Sequence, residues 1–206
     1  MGGGLRLVLA EDEPAVAAAV GEQLRALGHR LVGEAGTGEE AVRLAAAERP
    51  DAIVMDICMP DCDGIEAAAR IARTCPTPVV FLTGHFDEEL VAGAAASGGM
   101  AYLLKPATSA QLRAALELAH TRFHEMVDMK EQVTRLHRAL EDRKLVSRAK
   151  GVLMERHGLT EGDAHRRLQQ EASRSNVKLA EVARSILAAE AVLNRPKRAP
   201  GGKEAS

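Results

Sequence analysis

Four spaced signals in the first half of the chain can carry chemistry: the acidic pair Glu11-Asp12, then Asp56, Thr83 and Lys105-Pro106. Each follows an apolar run: LRLVLA before Glu11, AIVM before Asp56, VVFL before Thr83 and AYLL before Lys105. Parallel strands that stop together place their end residues on one rim, where open α/β sheets build their sites. Three carboxylates on one rim repel unless a cation neutralises them, and hard oxygen ligands suit Mg2+. A lysine and a hydroxyl beside them suit an anion that arrives with the metal. The set therefore describes a site for a phosphoryl group on a carboxylate.

The elements that must position these residues can be read from the same stretch. Residues 1–119 alternate short apolar runs with helical patterns five times. The expected strands are residues 5–10, Arg30–Ala35, Ala52–Met55, Pro78–Leu82 and Ala101–Leu104. The expected helices open at Pro14, Thr37, Gly64, Asp87 and Thr108, with apolar residues such as Val16, Val20, Leu24 and Leu27 at helical spacing. Strands buried on both faces read as continuous apolar runs, so the sheet should be parallel, five-stranded and doubly wound, an α/β fold. The last helix does not stop with that domain. No proline or glycine interrupts Ser109 to Lys150, and Leu112, Leu116, Ala119, Phe123, Met126, Met129, Val133, Leu136 and Leu140 recur at three- and four-residue steps. This heptad-like seam needs a partner chain or a later helix, and a dimeric coiled coil is the favoured reading. Two shorter helices follow, one opened by Thr160 and one spanning Val177–Leu193, with a turn at Ser173–Asn176 and a tail of disordered composition at 194–206.

Composition sets outer bounds. The 206 residues suffice for one ordinary domain and a smaller module. The chain has no run of eighteen apolar residues and no basic, apolar leader, which predicts a soluble, cytoplasmic protein with no membrane partner. Cys58, Cys62 and Cys75 are odd in number, and no second Cys/His pair near them completes a zinc site. Residues 1–119 hold 9 Lys+Arg against 17 Asp+Glu, a net of -8, while residues 120–206 hold 18 against 12, a net of +6. That asymmetry predicts two modules, with an anionic partner or a solvated helical surface as the readings of the second.

In the order and spacing of these markers, residues 5–119 resemble the receiver domain of two-component response regulators. Asp12 and Asp56 lie 44 residues apart, and Thr83 and Lys105 lie 22 apart. The resemblance implies that Asp56 is the phosphoryl acceptor, supplied by a sensor histidine kinase. It implies that Asp12 and Asp56 bind Mg2+ directly, Glu11 mainly through water, and Cys58 through its backbone carbonyl. Lys105 would pair with a phosphoryl oxygen and precede a cis proline, Thr83 would swing toward the phosphoryl group, and Tyr102 would turn inward behind it. Gly84 and Ala107 depart from the family's common residues, and Cys58 and His85 flank the acceptor where the family tunes loss of the phosphoryl group.

The stretch RKLVSRAKGVLMERHGLTEGDAHRRLQQEASRSNVKLAEVA resembles the ANTAR module, the three-helix RNA-binding output of AmiR/NasR-type antitermination regulators. Ala149, Lys150, Gly151, Leu153, Met154, Gly158, Ala164, Leu168, Ala172, Asn176, Leu179 and Ala183 carry the likeness. A glycine inside a helix costs about 1 kcal/mol against alanine, and close approach by another helix or by RNA backbone is its expected return. Arg143, Lys144, Arg148, Lys150, Arg166, Arg167, Arg174 and Lys178 are candidate phosphate or base contacts; the alternative has Glu141, Asp142 and Glu155 pairing with several of them. His165 stands where the module usually has an aromatic residue, as a stacking group or as core.

The expected arrangement is a receiver at 5–119, a coiled-coil linker at 120–140, an ANTAR domain at 135–193 and a tail at 194–206. Phosphorylation of Asp56 would control binding to RNA hairpins by a homodimer, and so transcription antitermination. A phosphorylation-controlled DNA-binding regulator and a dimerising signalling adaptor stay open as alternatives. Residues 120–206 contain no cysteine and no paired nucleophile–base motif, which argues against an enzymatic output.

Overall fold

The computed structural model describes residues 4–84 and 99–193. His85, the helix expected at Asp87–Ser97 and the tail expected at 194–206 lie outside the described residues. The described chain divides into two compact units, one up to Met129 and one from Lys130.

The first unit is built on strands β1 (Arg6–Ala10), β2 (Arg30–Ala35), β3 (Ala52–Met55), β4 (Val79–Thr83) and β5 (Gly99–Leu104). They form one parallel sheet in the order β2-β1-β3-β4-β5. Helices α1 (Pro14–Ala26), α2 (Gly38–Glu48) and α3 (Gly64–Thr74) connect the strands. Local chemistry starts each of them. Pro14 occupies the first turn of α1, Thr37 accepts from the Glu40 N–H at 3.2 Å, and Asp63 accepts from the Glu66 N–H at 2.7 Å.

Because successive strand residues face opposite sides, one apolar run serves two cores. Val8, Ala10, Ile53, Met55 and Phe81 pack with Ala41 and Ala45 of α2 and with Ala67, Ala68 and Ile71 of α3. Leu7, Leu9, Val54, Val80 and Leu82 pack on the other face with Val20 and Leu24 of α1. Leu112, Ala115, Leu116 and Ala119 complete that second core from helix α4 (Ser109–His157). Ala107 is half-buried against the same core.

Helix α4 is unbroken over 49 residues and ends where Gly158, at φ +62°, closes its last turn. The seam expected along it divides by partner. Leu112, Leu116 and Ala119 are fully buried receiver core and take no part in a coiled coil, whereas Met129, Val133, Leu136 and Leu140 are exposed by 66, 48, 69 and 51%. Three- and four-residue spacing records that a stripe must be covered, not by what.

In the second unit, the end of α4 packs with α5 (Glu161–Ser175) and α6 (Leu179–Leu193). Ala149, Leu153, Ala164, Leu168, Val182 and Ala183 form its small core. Thr160 caps α5 by accepting from the Asp163 N–H, and Asn176 ends it in the left-handed region at φ 53°. The turn expected at Ser173–Asn176 is therefore shorter: Ser173 to Ser175 remain helical. Among the described residues, no helix is long and apolar enough to cross a membrane.

Candidate functional site

Strand register brings the chemical residues together. Ala10 pairs with Met55, Met55 with Phe81, and Thr83 with Leu104. Hydrogen bonds continue one residue beyond the strands: Asp56 N–H donates to the Ala10 carbonyl at 2.8 Å and Lys105 N–H to the Thr83 carbonyl at 2.7 Å. Glu11 N–H donates to the Ala35 carbonyl at 2.9 Å. Glu11, Asp56, Thr83 and Lys105 thus stand on the carboxyl rim of the sheet, where sequence placed them.

Glu11, Asp12 and Asp56 each offer a carboxylate oxygen within 4.8 Å of the others. Asp12 is exposed, while the Glu11 and Asp56 side chains are 1 and 8% exposed. The Lys105 ammonium donates to Asp56 Oδ2 at 2.7 Å and to Glu11 Oε1 at 2.8 Å. It also lies 2.6 Å from Glu11 Oε2, so both Glu11 oxygens face the one ammonium. Burial pushes the Glu11 carboxyl above its ordinary range, and the Lys105 hydrogen bond only partly opposes this. Burial pulls Lys105 down, but hydrogen bonds to Asp56 and Glu11 outweigh it and hold the ammonium above its ordinary value. The rim therefore keeps a firmly charged cation between two enclosed acids.

The loop after β3 shapes the acceptor. Cys58 is exposed, and its N–H donates to Asp56 Oδ1 at 3.3 Å. Thr83 is fully buried, Tyr102 is half-buried against the core that holds Phe81, and the Lys105-Pro106 bond is cis. Gly84 is exposed, and among the described residues nothing lies within 4 Å of where its Cβ would stand. Gly64, expected to open a helix, also shapes the site. A Cβ on Gly64 would lie 2.0 Å from the Asp56 carbonyl oxygen, so only glycine lets α3 begin against the acceptor's backbone. The Gly64 N–H donates to the Ile57 carbonyl at 2.8 Å. The available signal was the turn-rich run Asp61-Cys62-Asp63-Gly64.

The cations of the second unit separate into paired and unpaired groups. Lys144 meets Glu141 at 2.8 Å, Arg166 meets Asp163 at 3.4 Å, and Lys150, with only 19% of its side chain exposed, is bonded to Glu161. Arg143, Arg148, Arg167, Arg174 and Lys178 are exposed, and Lys178 lines a cleft of about 440 Å3 with Arg138, Asp142 and Arg184. Asp142 pairs at 3.8 Å with Arg184, a partner that helical spacing alone had not indicated. Gly151 shares a helical stripe with Lys144 and Arg148, and nothing lies within 4 Å of where its Cβ would stand. Close approach by another described helix is therefore not its role. His165 is half-buried, and its Nδ1 is buried with no hydrogen-bond partner among the described residues.

A five-stranded parallel sheet with an acid cluster and a lysine on its carboxyl rim defines a receiver. The model of the response regulator receiver domain matches residues 7–117, and that of the ANTAR domain matches residues 134–187. The chain belongs to the two-component response regulators, with a receiver followed by an ANTAR output, a non-enzymatic regulatory architecture. It is 43% identical over 182 residues to the transcriptional regulatory protein PdtaR of Mycobacterium tuberculosis, spanning 88% of this chain and 89% of that one. Among solved structures, the receiver domain of a modulated diguanylate cyclase from Desulfovibrio desulfuricans is 34% identical. It covers 60% of this chain and 98% of its own, with a TM-score of 0.56. The receiver domain of the sensor histidine kinase PA1611 from Pseudomonas aeruginosa, with a magnesium ion coordinated in its active-site cleft, is 30% identical. It covers 57% of this chain and 98% of its own, with a TM-score of 0.53.

Proposed function

We propose that a sensor histidine kinase phosphorylates Asp56 and that this controls binding of RNA hairpins by the ANTAR unit, and so transcription antitermination in the cytoplasm. The observation that carries the reading is the Asp56 carboxylate, 2.7 Å from the Lys105 ammonium and grouped with Glu11 and Asp12. An Asp56 carboxylate oxygen attacks phosphorus, the bond from phosphorus to the donor imidazole nitrogen breaks, and that nitrogen keeps the electron pair. The product is an acyl phosphate. Glu11, Asp12, Asp56 and the Cys58 carbonyl would hold Mg2+, and the donor set of hard oxygens fits it. When bound, Mg2+ offsets the charge gathered on the carboxylates and the phosphoryl oxygens.

Lys105 then shifts its hydrogen bond from Asp56 Oδ2 to a phosphoryl oxygen, and the Thr83 hydroxyl and Tyr102 ring respond as the switch. The domains run as 5–119 for the receiver, 120–140 for the helical linker and 135–193 for the ANTAR domain. The exposed stripe of Met129, Val133, Leu136 and Leu140 supports a homodimer paired along that linker. Arg143, Lys144, Arg148, Lys150, Arg166, Arg167, Arg174 and Lys178 surround the RNA surface, with Gly151 as the point of closest backbone approach.

Incubation with a small phosphodonor tests the first step. Acid-stable, base-labile phosphate should appear on the parent protein only with Mg2+, and be absent from Asp56→Asn. Equal labelling of Asp56→Asn would place the acceptor elsewhere.

A further inference from the structure

We propose that His120 and His124 form a binding site for a divalent transition metal of the imidazole-preferring class, Cu2+, Ni2+ or Zn2+, separate from the acidic rim. The two residues are one turn apart on α4, and their Nε2 atoms lie 3.1 Å apart, with ring centroids separated by 4.4 Å. At metal–nitrogen distances of about 2.0–2.1 Å, two adjacent ligands of a tetrahedral to square arrangement stand roughly 2.9–3.4 Å apart. The pair already presents one edge of such a coordination shell. Imidazole nitrogens favour these metals, whereas the all-oxygen rim suits hard cations such as Mg2+.

The backbone makes the pair durable. His120 follows the fully buried Ala119, and an uninterrupted helix carries both imidazoles on one face. In the metal-free chain one Nε2–H donates to the other Nε2. Binding replaces that bond by two coordinate bonds, the donor ring moving its proton to Nδ1, so both rings stay neutral. Glu117, on the same helical face, adds negative charge. His120 and Glu117 line a cleft of about 600 Å3 with His29 and Thr121, while His124 is exposed, so water can reach the pair as the remaining ligands. Arg113 also lines it, but seven residues of helix put it about 10 Å along the axis from His120. His29 is already committed: its Nδ1 accepts from the Leu5 N–H at 3.2 Å.

Calorimetric titration of the full chain with NiCl2, in excess Mg2+ to occupy the acidic rim, tests the site. The parent should bind, and His120→Ala or His124→Ala should each weaken binding at least tenfold. The double variant should bind no more tightly than either single one, while His157→Ala should match the parent. Nickel should also raise the thermal midpoint of the parent and leave that of His124→Ala unchanged. Unaltered far-UV circular dichroism and urea midpoints in the absence of nickel would show that the variants are folded. Absence of nickel binding to the parent, or parental affinity in either single variant, would overturn the proposal. It stands or falls independently of RNA binding and of phosphotransfer.

Discussion

Glu11 and Asp56 face one another across a single ammonium, that of Lys105, with little water to screen them. Removing the cation from a buried ionic group costs about 3–5 kcal/mol, because the charge left behind has no partner. Lys105→Met should therefore lower the thermal midpoint in chelator, and Mg2+ should restore part of the loss; equal midpoints for variant and parent in chelator would count against this charge balance. Gly64→Ala is a second residue-scale case. Its Cβ would strike the Asp56 carbonyl, so overpacking of about 1–3 kcal/mol is expected, together with slower labelling of Asp56. Denaturant melts and phosphodonor time courses measure both. The two cases differ in how visible they were beforehand. Asp12, Asp56, Thr83 and Lys105 were legible because each ends an apolar run. The pairing of Lys105 with Glu11 across 94 residues, and the contact at Gly64, depend on tertiary approach that periodicity does not encode.

At the scale of elements, α4 shows one stripe meeting different surroundings. Leu116 is fully buried, so Leu116→Ala should cost about 2–5 kcal/mol of receiver stability. Leu136 is 69% exposed, so Leu136→Glu should leave the melt of dilute protein nearly unchanged yet reduce self-association in sedimentation equilibrium. The same self-association in parent and variant would remove the stripe from the dimer. Helices α2 and α3 are joined by Arg70 and Glu39, and the Arg70 hydrogen bond holds the Glu39 carboxyl below its ordinary value of 4.5. A depressed carboxyl contributes stability that is present above its unfolded value and lost as pH falls through the folded one. Arg70→Gln should accordingly flatten the loss of stability on acidification below pH 4.5, read from urea midpoints across that range. Element type and order were legible from pattern, but edges were less so. β5 begins at Gly99 because that residue pairs with Val79, a ladder contact that a glycine's low strand propensity conceals. The stop of α5 came from Asn176 adopting the left-handed conformation, which among side-chain-bearing residues asparagine and aspartate reach at least cost.

For the whole molecule, the division of charge, net -8 before residue 120 and net +6 from it onward, matches a chain that receives a phosphoryl group in one unit and meets an anion in the other. Family and fold were legible because two ordered motif sets span most of the chain, and helical spacing indicated Glu141 as a partner for the basic residues, whereas the pairs Lys150–Glu161 and Arg184–Asp142, made between helices, were not legible. Glu161 holds Lys150, so Glu161→Gln should free that cation and tighten hairpin binding, with a steeper dependence on salt. In the proposed switch, the charge state of Asp56 sets RNA affinity. The dissociation constant of a paired-hairpin RNA at fixed salt and Mg2+, with and without phosphodonor, for the parent and for Asp56→Asn, tests this. Tighter binding on phosphorylation of the parent, with no response in Asp56→Asn, is the expected result. The same affinity for the parent with and without phosphodonor, when Asp56 is shown to be labelled, would contradict it.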